Sequence, residues 1–209
     1  MKKLLSALLL TVCGVTAAQA RITYTYEQAP NDASGCTVPG CYKDPYMTKL
    51  TDGRTGYAGV LVDQARPWVG WYNLGVVNID FNLGAVTPVS SVSIGSAQNR
   101  LDDVVLPSFA VYALEGSEWV LKGTLDNPPT DGNNRDEASK ASHPIFTLSD
   151  LDIQSQFVRV SVMSNGPWSF LDEVYFNGQR NPVPEPGSAA MVLAGLGCLG
   201  LISRRRRNR

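Results

Sequence analysis

Strict alternation of apolar and polar residues constrains this chain more than any other feature. In "VVNIDFNLG", Val77, Ile79, Phe81 and Leu83 take every second position, and Asn78, Asp80 and Asn82 fall between them. Successive side chains of a strand point to opposite faces, so this segment has one apolar and one polar face, as a half-buried antiparallel strand requires. "QFVRVSVM" repeats the device with Val158, Val160 and Val162. "VSSVSIGS", "SFAVYAL", "EWVLKGTL" and "FLDEVYFNG" are further runs rich in Val, Phe, Tyr and Trp, and "ITYTYE" and "AGVLVD" are weaker ones. Glycines punctuate them. Gly53, Gly56 and Gly59 cluster in one loop, Gly84 is expected to close the strand from Val76, and Gly116 marks a hairpin in "ALEGSEW". No long stretch of helical period interrupts the strands, although "TLSDLDIQSQ" has room for one short helical turn. The pattern predicts an all-β antiparallel sandwich or barrel.

The ends of the chain differ from its middle. Lys2 and Lys3, the apolar run Leu4 to Val12 and the A-x-A site Ala18-Gln19-Ala20 have the order of a secretory signal peptide, so residues 1–20 are expected to form a signal helix that is removed. Setting aside Lys2, Lys3, Glu185 and the five tail arginines leaves 11 Lys and Arg against 18 Asp and Glu, a middle segment near −7. That charge argues against nucleic acid as a partner. Cys36 and Cys41, in "GCTVPGC", flank a Pro-Gly turn in an exported segment and are expected to pair as a disulfide. Closing so small a loop contributes only about 2 kcal/mol, enough to pin a loop but not to hold a fold. The polar stretch Asp126 to Ser142 reads as a long surface loop.

Four motifs in order carry a family resemblance: "KLTDGRTGY", "PWVGWYNLGVVNIDFNLG", "DVVLPSFAVYALEGSEW" and "QFVRVSVMSNGPWSFLDEVYFNG". Together they resemble the galactose-binding-like superfamily, also called discoidin or coagulation-factor type C domains, across most of residues 22–178. The resemblance implies an antiparallel jelly-roll β-sandwich over residues 21–180. It also implies a structural calcium ion, with Asp52 and Glu173 as side-chain ligands and backbone oxygens near Leu50, Arg54 and Thr55 completing the shell. The chemistry is reasonable, because calcium takes several hard oxygens at about 2.4 Å.

Catalytic constellations are missing. Asp102-Asp103 and Asp172-Glu173 are adjacent pairs, and neighbours on a strand face opposite ways rather than across a substrate bond. His143 is the only histidine and no G-x-S-x-G elbow accompanies it. "GLGCLG" matches G-x-G-x-x-G by letter but follows no strand. The aromatics are the better ligand candidates: Trp68, Trp71 and Tyr72 in "WVGWY", and Trp168 in "NGPWSF", with Arg100 supplying hydrogen bonds to sugar hydroxyls and Asn73, Asp102 and Asn165 nearby in the pattern. The same tryptophans would also serve as plugs for the ends of the sandwich. On alternation Trp68 and Tyr72 share one face and Trp71 takes the other, which puts at least one of them in a core.

The tail is the most specific string. "VPEPGSAAMVLAGLGCLGLISRRRR" joins Pro184, Glu185 and Pro186 to an apolar run from Ala189 to Ile202 and an arginine block. The run is shorter than the roughly 20 residues of a comfortable span, and the arginines are expected to stay cytoplasmic. The string closely resembles the PEP-CTERM sorting signal of Gram-negative bacteria. Over residues 181–209 that implies a short transmembrane helix holding the chain transiently at the inner membrane, then processing near the triplet by exosortase. The resulting expectation is a non-catalytic module at the cell surface that binds carbohydrate or contributes to an extracellular polysaccharide matrix. A structural surface protein without a glycan ligand and a glycan-active enzyme are the alternatives.

Overall fold

The computed structural model describes residues 21–31, 41–56, 67–98, 104–126 and 144–178. The expected signal helix, the run "AGVLVD", Cys36, Arg100, residues 127–142 of the polar loop and the C-terminal helix with its Pro184-Glu185-Pro186 joint lie outside them. Among the described residues nine strands form: β1 Thr23–Tyr26, β2 Val69–Tyr72, β3 Val76–Val89, β4 Val92–Ser96, β5 Ser108–Glu115, β6 Glu118–Leu125, β7 Ile145–Leu148, β8 Ile153–Met163 and β9 Trp168–Phe176. They build two sheets, in the orders β1-β3-β8-β5-β6 and β2-β9-β4-β7. Every strand pairing is antiparallel. The fold is the all-β antiparallel sandwich that the alternation predicts.

The main core lies between the sheets. Val77, Ile79, Phe81 and Leu83 of β3 meet Val158, Val160 and Val162 of β8 and Phe109, Val111 and Ala113 of β5. Val92, Ile94, Leu171, Val174 and Phe176 complete it from the other sheet. Full burial of each large side chain contributes roughly 1.5–3 kcal/mol. β5 and β6 close into a hairpin across Gly116 and Ser117, with the positive φ of 63° supplied by Gly116.

Two local expectations fail for the same reason. Gly84 does not end β3. Its φ is 84° and its N–H is taken by the Asn82 side chain at 2.8 Å, so the strand bulges between Asn82 and Thr87 and pairs again with β8 as far as Val89. "TLSDLDIQSQ" contains no helical turn. Asp150 takes φ 58°, Leu151 N–H bonds Ser90 O at 2.9 Å, and β8 begins at Ile153. In both places a partner strand distant in sequence decides the backbone. The one helical turn among the described residues is a 3₁₀ turn at Lys49–Thr51.

A second, smaller core lies on the other side of the four-stranded sheet. Cys41, Tyr42, Trp68, Ala97, Val104 and Phe170 form it, with Trp168 packed against it. A buried carboxylate holds the covering segment 41–51 in place. Asp44 accepts hydrogen bonds from the Tyr24 and Tyr26 hydroxyls at 2.5 and 2.8 Å and from Thr48 N–H at 3.1 Å. Lys49 is also buried, and its Nζ donates to Trp68 O at 2.9 Å and Cys41 O at 3.3 Å. Burial, then the Asp44 carboxylate, keeps the Tyr24 phenol protonated far above the ordinary tyrosine range. Burial does the same for Tyr26, with help from the charges of Tyr24 and Asp44. Cys41 is disulfide-bonded, and every other cysteine lies outside the described residues.

Candidate functional site

β2 and β9 run antiparallel with Tyr72 opposite Trp168. Alternation along β9 turns Leu171 into the main core and Phe170 into the second one, so Trp168 follows Phe170 to the outer face. The rings form a graded stack. Trp168 lies 5.2 Å from Phe170 at 15° between planes, and Tyr72 covers Trp168 at 4.9 Å and 39°. Tyr42 braces both inner rings edge-on, at 4.5 Å from Phe170 and 5.8 Å from Trp168. Tyr72 is 45% exposed, and Trp168 is half-buried.

The backbone around the pair is tied down. Tyr72 N–H donates to the Asn31 side chain at 2.9 Å, and Asn73 N–H to Pro167 O at 2.8 Å, with Asn73 at φ 53°. Val105 N–H reaches Trp168 O at 3.3 Å, and Asn165 Nδ2 donates to Leu106 O at 2.9 Å. Gly70 is required beneath this stack, because a Cβ there would collide with the Phe170 ring. Two aromatic faces therefore stand at one end of the sandwich on a fixed base.

The predicted aromatic set divides. Tyr72 and Trp168 come together at the surface. Trp68 and Trp71 are each 0% exposed and leave the set of ligand-contacting residues. Trp68 fills the second core against Phe170 at 6.3 Å, under Gly56. Trp71 fills the main core, stacks edge-on with Tyr26 at 5.7 Å, and donates from Nε1 to Gln28 O at 3.1 Å. Covalent neighbours in "WVGWY" thus serve three different environments. Tyr42 was missed by sequence reasoning. Its only signal was proximity to Cys41, and the segment has no period to mark it as buried.

The predicted calcium ligands lie further along the same outer face. Glu173 is 0% exposed beneath the loop from Leu50 to Gly56. Its Oε1 accepts Gly53 N–H, and Arg54 N–H at 3.1 Å, while its Oε2 is buried with no hydrogen-bond partner. Asp172 is equally buried, and its Oδ2 accepts Gly56 N–H at 2.6 Å. Asp52 accepts Arg54 N–H at 3.0 Å, and Thr55 is exposed. Burial pushes the Glu173 carboxyl up to about 8. The nearby Asp52 adds to the shift, and the Gly53 and Arg54 N–H groups oppose it. No cluster of three His, Cys, Asp or Glu suited to a metal occurs among the described residues. The loop also aims N–H groups, not carbonyls, at Glu173 Oε1. The feature that fits a cation is the orphaned oxygen Oε2 of a buried acid.

Residues 182–207 match the PEP-CTERM protein-sorting motif. No curated protein matches the chain. Among solved structures it is similar to the C-terminal domain of a chitobiase from Bacteroides fragilis, with a TM-score of 0.50 and 9% identity over 77% of this chain and 95% of that one. It is also similar to the module CpGH89CBM32-5 from Clostridium perfringens in complex with GalNAc-β-1,3-galactose, with a TM-score of 0.48 and 9% identity over 74% of this chain and 94% of that one. A third is the family 32 carbohydrate-binding module of C. perfringens NanJ in complex with galactose, with a TM-score of 0.44 and 10% identity over 74% and 92% of the two chains. At such identities the likeness concerns the fold. The described residues form an antiparallel two-sheet β-sandwich, the fold of that chitobiase domain, and the chain carries a PEP-CTERM protein-sorting motif behind it.

Proposed function

We propose that this chain is an exported, non-catalytic carbohydrate-binding module that exosortase sorts to the cell surface. The observation that carries the reading is the exposed Tyr72 ring laid over Trp168, on a base of Phe170 and Tyr42. A pyranose has an apolar C–H face and a rim of hydroxyls. Fixed aromatic faces take the first without the entropy cost of ordering them, and amides such as Asn73 and Asn165 are close in sequence for the second. Arg100 belongs to the same reading through its place in the sequence. Extracellular polysaccharide is the natural partner for a sugar-binding surface in that location.

A structural calcium ion is part of this reading. Glu173 would hold it through Oε2, with Asp52 and loop oxygens near Leu50, Arg54 and Thr55. A bound cation offsets the cost of burying an ionised acid and ties β9 to the loop from Leu50 to Gly56.

The test is a glycan array of short oligosaccharides probed with the purified chain. Binding that falls about tenfold or more in Trp168→Ala, at an unchanged melting temperature, supports the module. Binding to no glycan would leave the structural surface protein, and hydrolysis of a bound glycan would overturn the non-catalytic assignment.

A further inference from the structure

The outer face of the five-stranded sheet carries a separate set of rings. Tyr112 and Leu114 of β5, Trp119 and Leu121 of β6, and Phe157 and Arg159 of β8 alternate with residues that point inward. Val111, Ala113, Val158 and Val160 are those inward neighbours and fill the main core, so the first set faces away from it. The registers Asp80↔Arg159, Arg159↔Tyr112 and Tyr112↔Leu121 align one row across four strands. Phe157 is 37% and Leu121 52% exposed.

Arg159 joins this patch to a polar row. Its Nε and Nη2 bond the two oxygens of Asp80 at 2.6 and 2.9 Å, and Nη2 also bonds Glu27 at 2.5 Å. Its guanidinium carbon lies 4.6 Å from the centre of the Trp119 ring. Glu27 in turn accepts from Asn78 at 2.8 Å, and Asn78 from Ser161 at 2.5 Å. The arginine is thus clamped flat on the sheet. Among the described residues, its Nη1 and the Tyr112 hydroxyl make no hydrogen bond and keep their donors for a ligand.

We propose that this face is a second carbohydrate-binding surface, one that takes neutral polysaccharide. The Tyr112 ring and the clamped Arg159–Asp80 pair lie side by side in one row, with Phe157 and Trp119 in the rows beside it, which matches the two surfaces of a sugar. The row spans three strand spacings, roughly 14 Å, and so suits an extended chain rather than a single ring. Charge selects the class. Glu27 and Asp80 outnumber Arg159 locally, and the middle of the chain is near −7, so anionic polymers are repelled and neutral ones are not. The surface lies on a different sheet from the Tyr72–Trp168 pair and stands without it.

Native affinity electrophoresis tests it, with the full chain kept in solution by a polyoxyethylene detergent. The gels contain xyloglucan, galactomannan or mixed-linkage β-glucan, with alginate as the anionic comparison. The Trp168→Ala chain should still be retarded by at least one neutral polysaccharide. Adding Phe157→Ala should weaken that retardation about tenfold, and adding Leu121→Ser instead should weaken it in the same direction. Both side chains are partly exposed, so the melting temperature should hold. Retardation of the wild-type chain but not of Trp168→Ala would overturn this proposal and leave the Tyr72–Trp168 site standing. Retardation that survives both added changes, retention by alginate alone, or no retardation of any chain would also overturn it. So would self-association that Phe157→Ala abolishes without any effect on polysaccharide, because the face would then belong to a second copy of the chain.

Discussion

Trp68 and Trp168 belong to the same outer cluster, yet only Trp168 reaches solvent. The difference lies in what covers them. Trp68 sits under Gly56 in one cluster with Tyr42, while among the described residues Trp168 has only Tyr72 above it. Trp68→Ala should therefore cost about 3–5 kcal/mol of stability, and any loss of binding should come with a lower melting temperature. Trp168→Ala should lose binding with little change in melting, so paired melts and array binding separate the two. Alternation along "WVGWY" was enough to put Trp71 on the face opposite Trp68 and Tyr72, but not to show which face turns inward. It could not show that Trp68 is covered, because the cover comes from the 41–56 segment, which has no periodic pattern. Glu173 makes the second residue-level prediction. Its folded pKa of about 8 lies above the roughly 4.3 of a free Glu, so without metal the folded state holds an extra proton between those values. The contribution of this group to stability is then full below about pH 4 and is lost as pH rises through 8, by a few kcal/mol. Melts in chelator at pH 5, 7 and 9 should show this fall, and Glu173→Gln should flatten it. Added calcium should restore the loss at high pH. An unchanged midpoint with chelator, and no metal in the purified protein, would remove Asp52 and Glu173 as ligands.

At the scale of elements, the β2–β9 pair connects both cores. One face of this ribbon places Val69, Trp71 and Leu171 in the sandwich, and the other supports Trp68, Phe170 and Trp168. Gly70 is the crossing point. Gly70→Ala should displace the Phe170 ring, tilt Trp168 with it, and cost roughly 1–3 kcal/mol. Near-ultraviolet circular dichroism would register the moved rings, and an unchanged aromatic signal would count against the stack as described. β1, β3, β4, β5, β6, β8 and β9 were legible from alternation or from their runs of Val, Ile, Phe, Tyr and Trp, whereas the four-residue β2 and β7 are too short to show either. The bulge after Asn82 was not, since Gly84 reads locally as a stop and only pairing with β8 continues the strand beyond it. The hairpin at Gly116 was legible because its loop is two residues long and contains its own glycine.

For the whole molecule, antiparallel alternation on many short runs sufficed for the fold class. Strand order was beyond its reach, because β8 inserts between β3 and β5, and β9 between β2 and β4, long after those neighbours in the chain. The site was half legible for the same reason: Tyr72 and Trp168 meet only through that late insertion. The sorting motif at 182–207 is the opposite case, a contiguous string that needs no partner to be read. Replacing Pro184, Glu185 and Pro186 by alanine should leave export intact but keep the uncut chain in the membrane fraction, as intact-mass measurement would show. The knot around Asp44 has a further consequence. Two of the chain's eight tyrosines surrender their protons only once the sandwich opens. Because those protons stay on in the folded state and come off near pH 10 in the unfolded one, stability must fall as alkalinity rises above that point. The domain thus contains its own optical gauge: a delayed, cooperative burst of phenolate absorbance from Tyr24 and Tyr26 should mark its opening in base.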